Sequence, residues 1–189
     1  MNEQTRLQRS PATYQDVLDA PPGRVAELVG GTLHLHPRPA FPHALAASSL
    51  GHEVVGPFQK GRGGPGGWWI VAEPELHLGQ DVLVPDLAGW RRERMPAFPD
   101  APWSDLAPDW VCEVLSPGTR SFDLTDKRRS YAANGVAHLW LVDPKARTLE
   151  AFALEGGRWT LIAAHKDDEA VGVPPFEAIS FALSALWPG

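Results

Sequence analysis

The distribution of apolar and polar residues along the chain predicts a fold in which strands and helices alternate. Short apolar or alternating runs predict strands at residues 24–29, 32–36, 68–72, 76–78, 82–90, 110–115, 138–142, 148–154 and 159–164. Apolar spacing and capping residues predict helices at residues 14–19, from 43 to about 60, and from 121 or 123 to 134. Residues 181–187 are expected to form a short helix or an edge segment.

Two local signals convert this order of elements into an architecture. Gly30 and Gly31 separate the first two strands and supply the positive φ angles of a tight hairpin turn. The run 110–115 is nearly all apolar, which is typical of a central strand covered on both faces. The central order of helix, strands, strand, helix and strand therefore predicts an α/β fold, in which a mixed sheet carries a helix on each face.

Length and composition limit the class of protein. A chain of 189 residues suits one domain, expected over residues 13–189, with residues 1–12 as a flexible tail. The 17 basic and 23 acidic side chains give a formal charge of -6, which excludes a broadly basic coat but leaves room for a local basic groove. The single cysteine, Cys112, excludes an internal disulfide and a cysteine-based zinc or iron–sulfur site. With no secretory signal or membrane-spanning run, we expect a cytoplasmic protein and no membrane partner.

Charged residues in the predicted strands point to the candidate chemistry. Asp86 lies within the strand run 82–90, and Glu113 interrupts the apolar run 110–115. A carboxylate in a buried strand carries a large desolvation penalty unless a cation, a metal or hydrogen bonds compensate it. Lys127 follows Glu113 by 14 residues, on the next predicted helix. Two carboxylates and one ammonium in a cleft would suit a divalent cation that activates water and stabilises charge on a phosphate.

The same side chains also fit a purely structural ion cluster. Asp86 and Glu113 could simply pair with Lys127 or with the two arginines that follow it. Buried ion pairs occur without catalysis, and spacing alone favours this structural interpretation over the catalytic one.

A set of motifs in a fixed order resembles one bacterial family. The motifs are Glu27–Leu28–Val29–Gly30–Gly31, His43, Val84–Pro85–Asp86, Glu113–Val114–Leu115–Ser116–Pro117–Gly118–Thr119, Asp123, Lys127, Tyr131, Gly135–Val136 and Leu139–Trp140–Leu141–Val142–Asp143. Through them, roughly residues 13–187 resemble the Uma-two family of restriction-endonuclease-like proteins, within the PD-(D/E)xK nuclease superfamily. The resemblance implies a restriction-endonuclease-like mixed β-sheet flanked by helices, with an N-terminal hairpin and a C-terminal β extension.

The resemblance also implies a magnesium-dependent (or manganese-dependent) phosphodiesterase site. Asp86 and Glu113 match the two acidic residues that bind the metal in the superfamily. The superfamily lysine should stand two positions after the glutamate, but that position is Leu115. In the Uma-two family this lysine has moved to the next helix, where Lys127 matches it. Glu27 matches an additional acidic residue, either a third ligand or a water-orienting base, unless it is an ordinary exposed strand carboxylate.

Further residues are expected to assist this site. His43 either contacts phosphate or a metal-bound water, or is a solvated or capping residue. Tyr131 shares a helical face with Lys127, Ser116 shapes the turn after its strand, and Asp123 caps the helix or holds Lys127. His34 and His36 alternate onto one strand face and are interpreted as surface histidines. The expected nucleic-acid contacts are basic residues in two clusters: Arg91, Arg92, Arg120, Arg128 and Arg129.

These expectations favour a metal-dependent endonuclease that hydrolyses nucleic acid, DNA rather than RNA, and acts as a homodimer. One alternative is an inactive protein that keeps the nuclease fold for interactions. Another is a metal-dependent hydrolase of a smaller phosphate ester, which suits an acidic chain better than a long duplex does. Fold resemblance alone does not decide between them.

Overall fold

The computed structural model describes residues 11–188, so most of the predicted N-terminal tail lies outside the described residues. The helices are α1 (Tyr14–Leu18), α2 (Phe41–Val54), α3 (Arg120–Phe122) and α4 (Arg128–Ala133). A π-helical turn (Val55–Gln59) continues α2, and a second π-helical turn (Asp123–Lys127) joins α3 to α4. The strands are β1 (Arg24–Val29), β2 (Thr32–Pro37), β3 (Trp68–Ala72), β4 (Glu75–Leu78), β5 (Asp81–Leu83), β6 (Leu87–Arg91), β7 (Trp103–Ser104), β8 (Trp110–Val114), β9 (His138–Asp143), β10 (Thr148–Glu155), β11 (Arg158–Lys166), β12 (Ala170–Val171) and β13 (Phe181–Ala182).

A large six-stranded sheet forms the centre of the molecule, in the order β11-β10-β9-β8-β6-β3. Strands β8 and β9 pair in parallel, whereas the other neighbouring strands of this sheet pair antiparallel. The predicted mixed sheet is therefore confirmed. The C-terminal β extension is confirmed too, since β10 and β11 form the hairpin that widens this sheet. A 3₁₀ turn (Leu183–Leu186) follows the short β12–β13 pair.

A second, five-stranded sheet lies beside the first, in the order β2-β1-β5-β4-β7. It contains the predicted N-terminal hairpin, whose turn residues Gly30 and Gly31 have φ angles of 57° and 73°. The prediction of one continuous strand over residues 82–90 is wrong. The chain leaves the second sheet after β5 and enters the large sheet at β6, because Pro85 has no amide hydrogen to continue a ladder.

The two faces of the large sheet are covered by different elements. Alternation along β8 sends Trp110, Cys112 and Val114 into one core, which α2 and the C-terminal segment cover. The opposite face packs against the α3–α4 segment and the second sheet, and it contains Val111 and Leu115. Glu113 shares the strand parity of Val111 and Leu115, so its side chain points towards the face where α4 packs.

Two predicted boundaries need correction. Helix α2 begins at Phe41 rather than at residue 43, because Pro42 suits the first turn of a helix, where the amide has no partner. The short strand β7 lies between residues 91 and 108, where no strand is predicted from the sequence, and it pairs in parallel with β4. Neither change affects the order of the main elements.

Candidate active site

A cleft of about 240 Å³ opens where the two sheets, α2 and the π-helical turn Asp123–Lys127 meet. We call it the carboxylate cleft, because its lining includes the acids Glu27, Asp86, Glu113 and Asp123, three of which (Glu27, Glu113 and Asp123) pair with Lys127. The acids come from β1, from the crossing between β5 and β6, from β8 and from the π-helical turn. Residues far apart in the sequence therefore form one site.

Asp86 sits at the point where the chain enters the large sheet. The antiparallel register pairs Leu87 with Cys112, and continuing it by one residue places Asp86 opposite Glu113. Oδ2 of Asp86 accepts a hydrogen bond from the Val114 amide at 2.7 Å, while Oδ1 lies 3.2 Å from Nε2 of His43. One carboxylate oxygen is thus fixed by the backbone, and the other faces the cleft.

Glu113 is the most deeply buried carboxylate of the site, with 2% of its surface exposed. Its Oε1 contacts Nζ of Lys127 at 2.8 Å and accepts a hydrogen bond from the Tyr131 hydroxyl at 2.5 Å. Burial raises the pKa of Glu113 well above its usual range, although the neighbouring ammonium opposes this shift. Among the described residues, Oε2 makes no hydrogen bond to protein.

The ammonium group of Lys127 pairs with three of the acids, Glu27, Glu113 and Asp123. Its Nζ lies 3.0 Å from Oε1 of Glu27 and 3.9 Å from Oδ1 of Asp123, and it donates to the Val84 carbonyl at 3.1 Å. Burial by itself would lower the pKa of Lys127, but the surrounding carboxylates outweigh it and raise this pKa above its usual value. The side chain is therefore protonated at neutral pH. The π-helical turn that carries it is an uncommon geometry, found frequently at functional sites.

Glu27 faces Lys127 rather than solvent. Its Oε1 also accepts a hydrogen bond from the Val84 amide at 2.8 Å, and its Oε2 lies 3.6 Å from Nε2 of His36. The alternative of an exposed strand carboxylate is wrong, because only 3% of Glu27 is exposed. Both polar backbone groups of Val84 are thus used by the site, which fixes the crossing between the two sheets.

His43 enters the cleft from the first turn of α2. Burial by itself would lower the pKa of His43, but the carboxylate of Asp86 outweighs this and raises it. Asp123 lies on the opposite wall, where burial raises its pKa to about 6. Below it, the hydroxyls of Ser116 and Thr119 lie 2.9 Å apart within the turn after β8.

The donor chemistry of the cleft suits one kind of cation. Within residues 11–188 no group of three or more His, Cys, Asp or Glu side chains is arranged to hold a metal ion. Among the described residues, Oε2 of Glu113 has no protein partner and Oδ1 of Asp86 contacts only His43, so each carboxylate keeps an oxygen with lone pairs for a ligand. Magnesium commonly binds through one or two carboxylates and keeps several waters, whereas zinc needs three or four protein ligands. The residues present fit magnesium or manganese and do not fit a zinc site.

Both the sequence and the fold are similar to those of known proteins. The sequence profile of the Uma2 family, described as "Putative restriction endonuclease", matches residues 11–185. The chain belongs to the Uma2 family. Among solved structures, the fold is similar to the crystal structure, at 1.96 Å resolution, of a protein described as "a putative nuclease belonging to DUF820" from Anabaena variabilis. The two share 23% identity over 93% of this chain and 97% of the other, with a TM-score of 0.74. No curated protein matches the sequence.

The arginines expected to bind nucleic acid do not line the carboxylate cleft of this Uma2 protein. Arg92 donates to the carbonyls of Trp68 and Gln59, and Arg91 stacks on the ring of Trp68. Arg120 pairs with Asp143, Arg128 stacks over Phe152, and Arg129 is largely exposed. These residues stay predicted contacts for nucleic acid that extends beyond the cleft.

Sequence reasoning missed three residues that line the cleft. His36, interpreted as a surface histidine, is 87% buried as a side chain, since it packs against Phe122 and faces Glu27. Arg38 is an exposed cation at the rim, and Glu73 adds a carboxylate there with a φ angle of 47°. Positive φ is rare for a residue other than glycine, and the strain is typical of functional sites. In the predicted hairpin Glu27 lies opposite His34, and His36 is its diagonal neighbour on the same face, which was the one available signal.

The described residues also bear on membrane association. Between residues 11 and 188, no helix has the length and apolar character needed to cross a membrane.

Proposed function

We propose that this protein is a magnesium-dependent or manganese-dependent nuclease that hydrolyses phosphodiester bonds, with DNA as the favoured substrate. The observation that carries the proposal is the carboxylate cleft, where Asp86 and Glu113 line one cavity and the ammonium of Lys127 contacts Glu113. Membership in the Uma2 family supports the same class of reaction.

Each residue has a distinct part in this proposal. Asp86 and Glu113 would hold the cation, which when bound lowers the pKa of a coordinated water and adds positive charge beside the phosphate. Lys127 presents a permanent positive charge at the cleft wall, which stabilises the negative charge that develops on the attacked phosphate. His43 holds Oδ1 of Asp86 in place, and Arg38 meets the phosphate at the rim.

Glu27 fits the part of a positioning residue better than that of a third ligand. Its Oε1 is shared by the Val84 amide and the Lys127 ammonium, and its Oε2 faces His36. Glu27 therefore orients Lys127 and the crossing that carries Asp86. Tyr131 likewise orients Glu113, because its hydroxyl donates a hydrogen bond to Oε1 of that residue.

One observation favours the alternative of an interaction protein without turnover. Lys127, Glu27, Glu113 and Tyr131 satisfy one another without any ligand, as a structural ion cluster would. Asp86 does not fit that alternative as well, because its side chain is 15% exposed and contacts no ammonium or guanidinium group of the described chain. The experiment must therefore distinguish a cleft that binds a cation and cleaves substrate from an ion cluster that only stabilises the fold.

The test is a titration of the purified protein with Mg²⁺ and Mn²⁺ against single-stranded DNA, duplex DNA, RNA and bis(p-nitrophenyl) phosphate. Wild-type protein should cleave a nucleic acid only when the cation is present. Asp86→Asn and Glu113→Gln should lose cleavage and also lose cation binding by calorimetry. Matched controls are Asp126→Asn, at a half-buried position of the same helical segment as Lys127, and Glu155→Gln, on the β10–β11 hairpin.

Three outcomes would contradict the proposal. Absence of cleavage with every substrate and cation would favour the interaction protein. Cleavage of the small ester alone would favour the hydrolase of smaller phosphate esters. Equal activity of Asp86→Asn and Asp126→Asn would show that the cleft is not the reaction site. The homodimer also stays a prediction, and light scattering with and without DNA measures it directly.

A further inference from the structure

A second cavity, of about 410 Å³, continues from the carboxylate cleft along helix α2. We call it the α2–β3 groove. Its two long walls are the helix and the edge strand of the large sheet: Ala44, Ala47, Ser48 and Gly51 on α2, and Ile70 and Ala72 on β3. Its volume lies within the roughly 300–1,000 Å³ that is usual for small-ligand sites.

The groove and the cleft are parts of one continuous surface. Pro39, His43, Glu73 and Asp86 line both of them. A ligand bound at Asp86 in the cleft can therefore extend into the groove. Continuity with the candidate reaction site, rather than apolar character alone, is what indicates a substrate subsite.

The helix wall carries only small side chains. The other three α2 residues follow Ala44 by three, four and seven positions, so all four share one face of the helix. None of the four is larger than serine. Glycine in the interior of a helix is destabilising relative to alanine, and Gly51 has no packing reason to be glycine. A methyl group there would meet only Leu87, at an ordinary contact distance of 3.8 Å.

The strand wall has its backbone partly engaged. In the part of the chain that the structure describes, strand β3 pairs only with β6 and is therefore an edge strand of the large sheet. An extended peptide could pair with such an edge as an added strand. Gln59 opposes this, because its side-chain oxygen accepts a hydrogen bond from the Ile70 amide at 2.8 Å. The groove is therefore better suited to a compact ligand with apolar faces than to an added strand.

We propose that the α2–β3 groove holds the nucleoside next to the phosphodiester in the carboxylate cleft, so the substrate carries an unpaired nucleotide at the cleavage point. This inference rests on the proposed nuclease function. A base within a duplex has both faces stacked and offers none to an apolar wall, whereas an unpaired or flipped base is free to enter a pocket. The polar side chains at the shared mouth suit the sugar and phosphate.

The test fills the groove from an exposed position. Ala44→Leu projects from the helix wall into the groove without replacing a core residue, and leucine is a good helix former. The matched control is Ala133→Leu, at an exposed position of α4 that lines neither cavity. Equal thermal midpoints for both variants and the wild type would show that folding is unaffected.

Two readouts distinguish this inference from the nuclease proposal. In NMR titrations with thymidine 5′-monophosphate and Mg²⁺, we expect amide shifts at Ala47, Gly51 and Ala72, with binding at least tenfold weaker in Ala44→Leu and unchanged in Ala133→Leu. In cleavage assays, we expect single-stranded DNA to be cut faster than duplex, and Ala44→Leu to raise KM about tenfold at constant kcat.

The outcomes separate cleanly. Equal nucleotide binding and equal KM in the two variants, shifts outside the groove, or no nucleotide binding at all would overturn the subsite, even in a protein that cleaves DNA. Nucleotide shifts in the groove without cleavage of any polymer would instead overturn the nuclease proposal and retain the nucleotide site.

Discussion

The two sides of the carboxylate cleft have the same kinds of side chain but different environments. On the closed side, Lys127, Glu27 and Glu113 are each 4% exposed or less as side chains, and they satisfy one another. On the open side, Asp86 and His43 retain 15% and 12% exposure and border the α2–β3 groove. The closed side therefore stabilises the fold in addition to lining the cleft with Glu113 and Lys127, and the open side is where a ligand has most access. Substitutions on the open side should change activity alone, and those on the closed side should change both stability and activity.

The largest effect on folding is expected from Lys127→Met. The substitution keeps an apolar stem of similar length but leaves Glu27 and Glu113 buried without their cation. Removing one partner of a buried ion pair costs about 3–5 kcal/mol, and urea unfolding measures that loss. Lys60→Met, at an exposed position, is the control. A loss below about 1 kcal/mol would show that the closed side is not a structural cluster.

Asp86→Asn should show the opposite behaviour. Asparagine keeps an oxygen that accepts the hydrogen bond from Val114, so the free energy of unfolding should change by less than about 1 kcal/mol. Cleavage should fall about 100-fold to 1,000-fold, the range for loss of one electrostatic stabiliser. Urea unfolding and single-turnover cleavage on the same preparation provide both values. Destabilisation as large as that of Lys127→Met would mean that the two sides do not differ.

Glu27→Gln tests a residue of the closed side that also holds the Val84 amide, two residues before Asp86. The amide oxygen would still accept from Val84, but the charge beside Lys127 would be lost. We expect activity to fall about 10-fold to 100-fold, as for other residues that orient a site. Cation affinity, measured by calorimetry, should stay constant because both oxygens of Glu27 face protein groups. A fall in cation affinity equal to that of Asp86→Asn would make Glu27 a ligand instead.

The smallest effect is expected at an ion pair outside the cleft. Burial by itself would raise the pKa of Asp143, but the Ala146 amide and the half-exposed Arg120 outweigh it and hold the pKa below its usual range. A carboxyl with a lowered pKa adds stability above its unfolded pKa, near 4, and this stability is lost as pH falls through the folded pKa. Relative to wild type, Asp143→Asn should therefore lose at most about 1 kcal/mol near pH 7, and the difference should shrink as the pH falls below about 4. A difference that does not shrink with falling pH would contradict this assignment.

The order of elements was predictable because it depends on local patterns. The hairpin around Gly30 and Gly31 and the nearly all-apolar strand at Trp110–Val114 appear where the residues predict them. The prediction of one strand over 82–90 is wrong. Pro85 indicates locally that the strand is interrupted, but no local pattern shows that β5 and β6 belong to different sheets. Strand pairing joins distant segments, and a hydrophobic pattern does not specify the partner.

The sequence by itself determined the family, the main elements and the candidate acids Glu27, Asp86 and Glu113. Only the tertiary structure decided which protein groups contact the oxygens of each acid. The deciding contacts join Val84 to Glu27 and to Lys127, across 57 and 43 residues. Contacts of such separation are set by how two sheets and a helix pack together, and no local pattern encodes them. The groove beside Asp86 arises in the same way, since one wall is a helix and the other is the edge of a sheet.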